Sequence, residues 1–225
     1  DAIIDASGYR KPAIFIDVEG DEWEENIDRS TTLVKECILK PEEIVAKIKD
    51  AGVVGMGGAC FPTHVKLSPP PGCKAECVII NAVECEPYLT TDYHSIKKDT
   101  AYLLTGAQLL KKALGANEAI IAFKVKKDDM KAKILELLPE YEGIRIVEVP
   151  DVYPMGWERT LLYSLLKKRY DRLPIEVGCI VSNATTAIML GQAMKTGLPI
   201  VEKMVTVSGD AVKEPHNVLV RVGTP

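Results

Sequence analysis

Four short runs rich in apolar residues mark the middle of the chain: Cys77–Ile80, Ala119–Phe123, Ile144–Val149 and Val177–Val181. The continuous apolar run Cys77–Ile80 is typical of a strand that is buried on both faces of a sheet, and the other runs follow it as further strands. The stretches between them carry apolar residues at helical spacing. Because strands and helices alternate, the pattern predicts an α/β domain with a parallel sheet and helices on its faces.

Prolines and glycines predict where the helices begin and end. Pro41 suits the first turn of a helix that ends at Gly52. The spacing of Leu161, Leu162, Leu165 and Leu166 predicts another helix, and further predicted helices end at Gly115 and Gly197. Ligands of parallel sheets bind at the carboxyl ends of the strands. The candidate regions are therefore residues 81–88, 124–127, 150–158 and 182–186.

Both ends of the chain predict β structure without an obvious partner. Residues 13–18 form an apolar strand, and residues 204–210 begin another β segment. The 225 residues suffice for one large domain or two small ones. We interpret the sequence as an excised piece of a longer protein, and the alternative is a complete small protein with edge strands at both ends.

Composition excludes several classes of partner. The 28 basic and 32 acidic side chains give a net charge of −4, so no basic excess favours nucleic acid. No apolar run reaches the roughly 18–20 residues that a membrane span needs, so no direct membrane insertion is predicted. Six cysteines spread thinly over the chain predict reduced thiols and an intracellular protein.

A glycine-rich loop over residues 52–66 is the strongest local signal. Gly55, Gly57 and Gly58 allow close backbone approach and present N–H groups to an anion, and Lys66 adds a positive charge. The loop is neither a Walker loop nor a dinucleotide fingerprint, because no Gly-Lys-Ser/Thr follows, no strand precedes it and no helix clearly follows. The alternative is a tightly packed turn.

Polar residues follow the first buried strand. Asn81, Glu84 and Glu86 suit hydrogen bonds to a polar ring or to ribose hydroxyls. Acid–base hydrolysis by the paired carboxylates and a metal site are alternatives. His94 is the one nearby histidine and the spacing fits no standard zinc pattern, so we predict no metal.

Two later segments repeat this placement after a strand. Tyr153 to Glu158 follows one strand and opens a helix, and Ser182 to Thr186 follows the next. Asn183 has the alternative interpretation of a simple helix N-cap. Trp157 has that of a core aromatic residue.

Among the cysteines, Cys60 is the candidate for reactivity. It lies in the glycine-rich loop with His64 and Lys66 nearby, conditions that lower a thiol pKa. Cys77 and Cys179 lie in strand runs and are predicted to be buried and inert.

Four motifs in this order resemble one family. They are Gly-x-Gly-Gly-Ala-x-Phe-Pro-Thr-x-x-Lys at 55–66, Asn-Ala-x-Glu-x-Glu-Pro at 81–87, Gly-x-Glu at 156–158 and Asn-x-x-Thr at 183–186. Together they resemble the FMN- and NADH-binding subunit of respiratory complex I. The RnfC branch, from ion-pumping ferredoxin:NAD oxidoreductases, is more similar, through its Phe-Pro-Thr-His-Val-Lys-Leu and Glu-Cys-Glu-Pro-Tyr-Leu-Thr segments.

The resemblance implies a Rossmann-like fold that binds FMN non-covalently and receives hydride from NADH. The residues expected to contact FMN are Gly55, Gly57, Lys66, Asn81, Glu84, Tyr153 and Asn183. Those expected on the nicotinamide side are Gly58, Phe61, Glu86 and Glu158. Because FMN carries the hydride chemistry, no catalytic side chain is expected apart from a redox-active Cys60.

The resemblance also implies a domain division. Residues 1–39 would be the tail of a lipoyl-like β domain with its linker, 40–200 the FMN/NADH-binding domain, and 201–225 the start of a β-grasp, SLBB-like segment. The 4Fe-4S clusters would lie in a C-terminal region that this sequence lacks. The implied partners are NADH and other subunits of a redox complex, and the implied location is cytoplasmic, peripheral on the inner face of the cell membrane.

Three positions depart from the family pattern. Complex I has an acidic residue where Val83 stands, RnfC chains usually have Gly at Trp157, and Gly or Thr is usual at Cys60. These departures favour an alternative: a non-catalytic or divergent scaffold or electron-transfer module that serves another reductase, of the cobalamin reductase or proline reductase type, with weak or no NADH oxidation. Of these, the proline reductase-associated electron transfer protein fits a redox-active Cys60 better.

Overall fold

The computed structural model describes residues 2–4, 8–20, 22–30 and 32–224. Fifteen helices and strands of this part are used below. In chain order they are β1 (Ala2–Ile4), β2 (Arg10–Pro12), α1 (Pro41–Asp50), α2 (Thr63–Lys66), β3 (Cys77–Ala82), α3 (Thr91–Lys98), α4 (Thr100–Leu114), β4 (Glu118–Lys124), α5 (Asp128–Leu137), β5 (Ile144–Val149), α6 (Glu158–Leu166), β6 (Cys179–Asn183), α7 (Ala184–Thr196), β7 (Glu202–Val207) and β8 (His216–Arg221). Two short 3-10 helices, Leu138–Glu140 and Pro174–Val177, lie between them.

A parallel four-stranded sheet forms the centre of the molecule, with the order β5-β4-β3-β6. This confirms the predicted α/β fold with a Rossmann-like parallel sheet. The chain runs outward from β3 to β5 and then returns to the other side of β3 with β6. The sheet therefore has a topological switch point between β3 and β6, where ligands of such sheets bind.

The two faces of the sheet bury different helices. Val78 and Ile80 of β3 belong to a large core with α1, α3, α4, α5 and α7. Ile79, between them in the sequence, belongs to a smaller core with Leu161 and Leu162 of α6. This period-2 alternation explains why the run is apolar without interruption, since both faces are covered.

Helices α4 and α7 approach each other closely on the larger face. A Cβ atom added to Gly106 would lie 1.9 Å from the backbone oxygen of Ala187, and one added to Gly191 would lie 2.8 Å from that of Tyr102. Glycine is therefore required at this crossing because any side chain would meet the backbone of the other helix. The crossing holds α7 close to α4 on this face of the sheet.

Several predicted elements differ from the structure. Residues 13–18 form no strand and are largely exposed, because they have no neighbouring strand in the described chain. Strand β6 begins at Cys179 rather than Val177, since Gly178 ends a 3-10 helix with a φ of 76°. A four-residue helix, α2, forms the end of the glycine-rich segment and comes directly after its glycines, where no helix was clearly expected.

Two hairpin-like pairs lie outside the sheet. Strands β1 and β2 pair antiparallel, as do β7 and β8. The second pair contacts the start of α3, where Thr90 N–H donates to Thr206 Oγ1 at 3.3 Å and Asn217 Nδ2 donates to Thr90 Oγ1 at 3.0 Å. The domain boundaries at residues 39/40 and 200/201 stay predictions; positions 1, 5–7, 21, 31 and 225 of the flanking segments lie outside the described residues.

Candidate functional site

Two adjoining cavities open at the switch point of the sheet. The deeper one, of about 210 Å³, lies between the glycine-rich loop and the ends of β3 and β6. The second is a wider groove of about 760 Å³ that reaches across to β7. Gly57, Asn81, Gly156 and Asn183 border both of them. The groove falls in the volume range of small-molecule sites, about 300–1,000 Å³.

The glycine-rich loop is fastened beside α7. Gly55 N–H donates to Phe61 O at 2.8 Å, and Met56 N–H donates to the buried Thr186 hydroxyl at 2.8 Å. A Cβ added to Gly57 would lie 3.4 Å from the Cβ of Asn183. A side chain at Gly57 would therefore narrow the entrance between the two cavities.

Two asparagines lie at the same level, near the carboxyl ends of neighbouring strands. Asn81 of β3 pairs in register with Asn183 of β6. The Asn81 Nδ2 donates to Gly156 O at 2.8 Å, and its Oδ1 accepts from Val83 N–H at 3.1 Å. Asn81 thus fixes the loop before α6 to the edge of the sheet.

Asn183 is the N-cap of α7, as its alternative interpretation predicted. Its Oδ1 accepts from Thr186 N–H at 3.1 Å. Its Nδ2 donates to Asp92 Oδ2 at 2.7 Å, and Thr185 Oγ1 donates to the other oxygen of Asp92 at 2.5 Å. Capping and cofactor contact do not exclude each other, so the FMN contact of Asn183 stays a prediction.

Asp92 is a half-buried carboxylate that lines the groove and that the sequence did not reveal. Burial raises the pKa of Asp92, and the hydrogen bond from Thr185 opposes that rise. The negative charge of Glu84 raises this pKa further, and Asn183 and Lys203 oppose it. Asp92 therefore ties the α3 N-terminus to the carboxyl end of β6.

Glu84 lines the groove but its carboxylate is occupied by α3. One oxygen accepts from Asp92 N–H at 2.9 Å and from Thr91 Oγ1 at 3.1 Å, and the other accepts from Tyr93 N–H at 3.2 Å. An acidic group at this position satisfies the free N–H groups of the first helical turn. Glu86 is exposed at the edge of the same groove.

Lys66 provides the positive charge of the deep cavity. Its Nζ donates to Val181 O at 2.7 Å and lies 3.9 Å from Glu158 Oε2. The other oxygen of Glu158 accepts from the Tyr170 hydroxyl at 3.1 Å. Burial, followed by the charge of Glu158, raises the pKa of Tyr170 to about 12, so this hydroxyl keeps its proton near neutral pH.

Three aromatic side chains border the cavities and are exposed. Phe61 is 49% exposed, Tyr153 is 67% exposed and Trp157 is 59% exposed. The interpretation of Trp157 as a core aromatic residue is therefore wrong. Exposed aromatic rings beside a cavity offer stacking surfaces for a planar ligand.

All six cysteines are free. Cys77 and Cys179 are buried, as predicted, and occupy paired positions in β3 and β6. The neighbouring thiol and burial raise the pKa of Cys77, which keeps it protonated. Cys60 is exposed in the loop with a φ of 50°, and its redox activity stays a prediction.

The structure brings all eleven predicted binding residues to the walls of the two cavities. The deep cavity has Gly55, Gly57, Phe61, Lys66, Asn81, Glu158 and Asn183, and the groove has Gly57, Gly58, Asn81, Glu84, Glu86, Tyr153 and Asn183. The predicted flavin and nicotinamide sets do not coincide with the two cavities, so each assignment stays a prediction. Sequence reasoning missed Asp92 and Lys203, for which no local pattern is a signal. Thr186 lies in the candidate region 182–186 and ends the Asn-x-x-Thr motif, but it was given no individual role.

Neither a group of metal ligands nor a membrane-spanning helix is found among the residues that the structure describes. Within residues 2–4, 8–20, 22–30 and 32–224, no three Asp, Glu, His or Cys side chains are grouped so that they could hold a metal ion. In the same ranges, no helix has the length and apolar character required to cross a membrane.

Comparison with known proteins identifies a family match. Residues 48–192 match the family described as the Nuo51 FMN-binding domain. The chain is 39% identical over 234 residues to a component of the proton-translocating ferredoxin:NAD(+) oxidoreductase complex of Clostridium ljungdahlii, covering 99% of this chain and 50% of that protein. It is 37% identical over 190 residues to the cobalamin reductase PduS of Salmonella typhimurium, covering 84% of this chain and 41% of that protein.

A solved structure shares the fold. A chain of an NAD+-reducing NiFe hydrogenase in the air-oxidized state superimposes with a TM-score of 0.71 at 25% identity. The match covers 82% of this chain and 37% of that one. The chain thus spans about half the length, or less, of the relatives that it matches.

Proposed function

Because this chain belongs to the RnfC family and carries its FMN-binding domain over residues 48–192, we propose that it is the FMN-binding electron-transfer module of a larger oxidoreductase. In this function it receives hydride from NADH and passes electrons on to iron–sulfur clusters. Its partners are NADH and other subunits of a membrane-associated redox complex. The protein lies on the cytoplasmic side and is held there by those subunits rather than by lipid.

One observation carries this proposal: the deep cavity and the groove meet at the switch point, between two register-paired asparagines. The paired cavities offer room for two ligands side by side, with Gly57 at their junction. The donors and acceptors around them suit FMN: backbone N–H groups, amides and one lysine for polar and anionic atoms, and aromatic rings for a flat ring system. The residues present therefore fit this cofactor.

Each wall of the site has its own task in this function. The loop glycines admit the cofactor close to the backbone, and Lys66 offsets negative charge in the deep cavity. Asn81 and Asn183 keep the walls in place through Gly156 and Asp92. When bound, FMN supplies the hydride-accepting ring, so the protein orients the ligands and adjusts the charge around them.

The domain division is part of the proposal. Residues 40–200 form the FMN/NADH module, residues 1–39 end a preceding β domain, and residues 201–225 begin a β-grasp segment. The relative from Clostridium ljungdahlii is about twice as long, and we place the iron–sulfur clusters in a region of the larger protein that follows these residues. The isolated 225 residues then accept hydride without passing electrons onward by that route.

An alternative function is favoured by the position of Trp157. Its exposed indole borders the groove, where it would occupy the space of a nicotinamide ring. A module of the cobalamin reductase or proline reductase type, with weak or no NADH oxidation, is then expected. The 37% identity to PduS is compatible with this alternative.

Anaerobic titration of the FMN-loaded protein with NADH tests both functions. We expect FMN to bind and its visible absorbance to bleach as NADH is added. The Trp157→Gly variant separates the alternatives, with Trp23→Gly as a control because Trp23 borders neither cavity. If NADH bleaches the FMN absorbance only in Trp157→Gly, the indole blocks NADH and the alternative function holds. A protein that fails to bind FMN contradicts both.

A further inference from the structure

The groove contains three carboxylates and one ammonium group. Glu84, Glu86 and Asp92 line it from the main domain. Lys203, on strand β7, is the single lysine or arginine among the described residues that line it. A nucleotide ligand carries negative phosphate groups, so three carboxylates without a cation would repel it.

Lys203 is available for such a ligand. It is half-buried and lines the groove, and its positive charge is close enough to Asp92 to lower the pKa of that carboxyl, against the effect of burial. No carboxylate of the described chain lies within ion-pair distance of its ammonium. Lys66, by contrast, already donates to Val181 O and lies in the deep cavity.

The strand that carries Lys203 is fixed against the main domain. Thr206 and Asn217, from the two strands of the hairpin, hydrogen-bond at 2.7 Å, and both contact Thr90 at the start of α3. Ser95 Oγ also contacts Met204 Sδ at 3.8 Å. These contacts set the distance between Lys203 and the opposite wall of the groove.

We propose that Lys203 binds a phosphate group of a nucleotide ligand in the groove, so that the C-terminal hairpin completes the site. This inference rests on the proposed function but adds a residue outside the FMN-binding domain match, which ends at residue 192. The phosphate belongs either to FMN or to the pyrophosphate of the dinucleotide. A charge-assisted hydrogen bond to it provides affinity in both cases.

Binding measurements with three ligands test this assignment on the 225-residue chain. FMN and riboflavin differ by the phosphate, and ADP-ribose carries the pyrophosphate without nicotinamide. We compare the wild type with Lys203→Met, Lys203→Arg and Lys213→Met, the last being an exposed lysine of the β7–β8 loop that borders neither cavity. Flavin binding is followed by fluorescence quenching, and ADP-ribose binding to FMN-loaded protein by calorimetry.

We expect Lys203→Met to weaken one phosphate ligand about tenfold. Weaker FMN binding with unchanged riboflavin binding assigns the Lys203 contact to the flavin phosphate. Weaker ADP-ribose binding with unchanged FMN binding assigns it to the pyrophosphate. Lys203→Arg and Lys213→Met should keep wild-type affinity within a few-fold. Equal thermal unfolding of the variants excludes a folding defect as the cause.

Three results would overturn the assignment. Affinities for FMN and ADP-ribose that do not change in Lys203→Met exclude a phosphate contact. A loss for riboflavin as large as that for FMN, or an arginine variant as weak as the methionine one, shows that phosphate charge is not recognised. A wild-type protein that binds neither FMN nor ADP-ribose contradicts the proposed function as well, which distinguishes the two failures.

Discussion

Asp92 connects side chains that are distant in sequence but adjacent in the site. Its carboxylate accepts from Asn183 and Thr185, and its backbone N–H donates to Glu84. The groove wall is thus a chain of hydrogen bonds from the segment after β3, through α3, to the N-terminus of α7. Partly buried networks of this kind depend strongly on each member.

The pH dependence of stability should report on Asp92. Its folded-state pKa lies above the ordinary value of 3.8 because of burial. The stability that its protonation contributes is present below the unfolded pKa and is lost as pH rises through the folded one. We therefore expect the unfolding free energy of the wild type, relative to Asp92→Asn, to fall as pH increases from about 3 and then to level off.

Urea unfolding of both proteins across this pH range makes the measurement. Glu84 and Lys203 face Asp92 and act in opposite directions, so both are kept unchanged. Thr185→Val removes a hydrogen bond that favours the charged carboxylate, and it should move the decline to higher pH. A difference in unfolding free energy between wild type and Asp92→Asn that stays constant with pH would contradict the raised pKa of Asp92.

At the scale of elements, Glu84 stabilises α3 from outside the helix. Glu84→Ala leaves three donors of the first turn without their acceptor and should lower the free energy of unfolding by about 1 kcal/mol, as loss of a helix cap does. Glu86→Ala is the matched control, since Glu86 is exposed two residues away, and we expect a change within about 0.5 kcal/mol. Chemical denaturation distinguishes the two; equal losses would contradict the capping role.

The α4–α7 crossing gives a second prediction at this scale. Gly106→Ala gains up to about 1 kcal/mol of helix propensity but puts a Cβ into the backbone of Ala187. Overpacking costs about 1–3 kcal/mol, and an approach of 1.9 Å to a backbone oxygen puts this case in the upper part of that range, so we expect net destabilisation of about 1–2 kcal/mol. Thermal and urea unfolding measure this, and Gln108→Ala, on the same helix, should change little. A stabilised Gly106→Ala would show that the helices separate without cost.

The elements show how far local pattern extends. All four apolar runs predicted strands to within two residues at each end. Burial on both faces explains the uninterrupted apolar runs of β3 and β4. Gly115 and Gly197 end their helices with positive φ, as their chemistry predicts. The prediction of a strand over residues 13–18 was wrong because an apolar run forms a strand only where a neighbouring strand pairs with it.

The site divides in the same way. Asn81 and Asn183 follow from the rule that ligands bind at strand ends, and the register of β3 and β6 brings them together. Asp92 meets Asn183 across 91 residues of sequence, and no local period encodes that contact. Lys203 was missed because its place in the groove depends on how the hairpin packs on α3.

At the scale of the whole molecule, the hairpin is coupled to the sheet through few contacts. Thr90, Thr206 and Asn217 form a small hydrogen-bond network. The Asn217 side chain bonds to the Thr90 hydroxyl of the main domain and to the Thr206 hydroxyl of the hairpin. Each such bond contributes about 0.5–1.5 kcal/mol net. The hairpin should therefore open more readily than the four-stranded sheet, whose central strands β3 and β4 are buried on both faces.

Asn217→Ala tests this coupling by hydrogen exchange. The variant loses its hydrogen bonds to Thr90 and Thr206, so we expect faster amide exchange in β7 and β8 while exchange in β3 and β4 stays as in the wild type. Glu214→Ala, in the exposed loop of the same hairpin, should leave both unchanged. If Lys203 contacts a phosphate, saturating FMN or ADP-ribose should slow amide exchange in β7 of the wild type. The same ligands should restore part of the protection that Asn217→Ala loses, because a ligand that binds Lys203 stabilises the hairpin in its position against the main domain. Equal exchange in Asn217→Ala and wild type would show that the hairpin is held by other contacts.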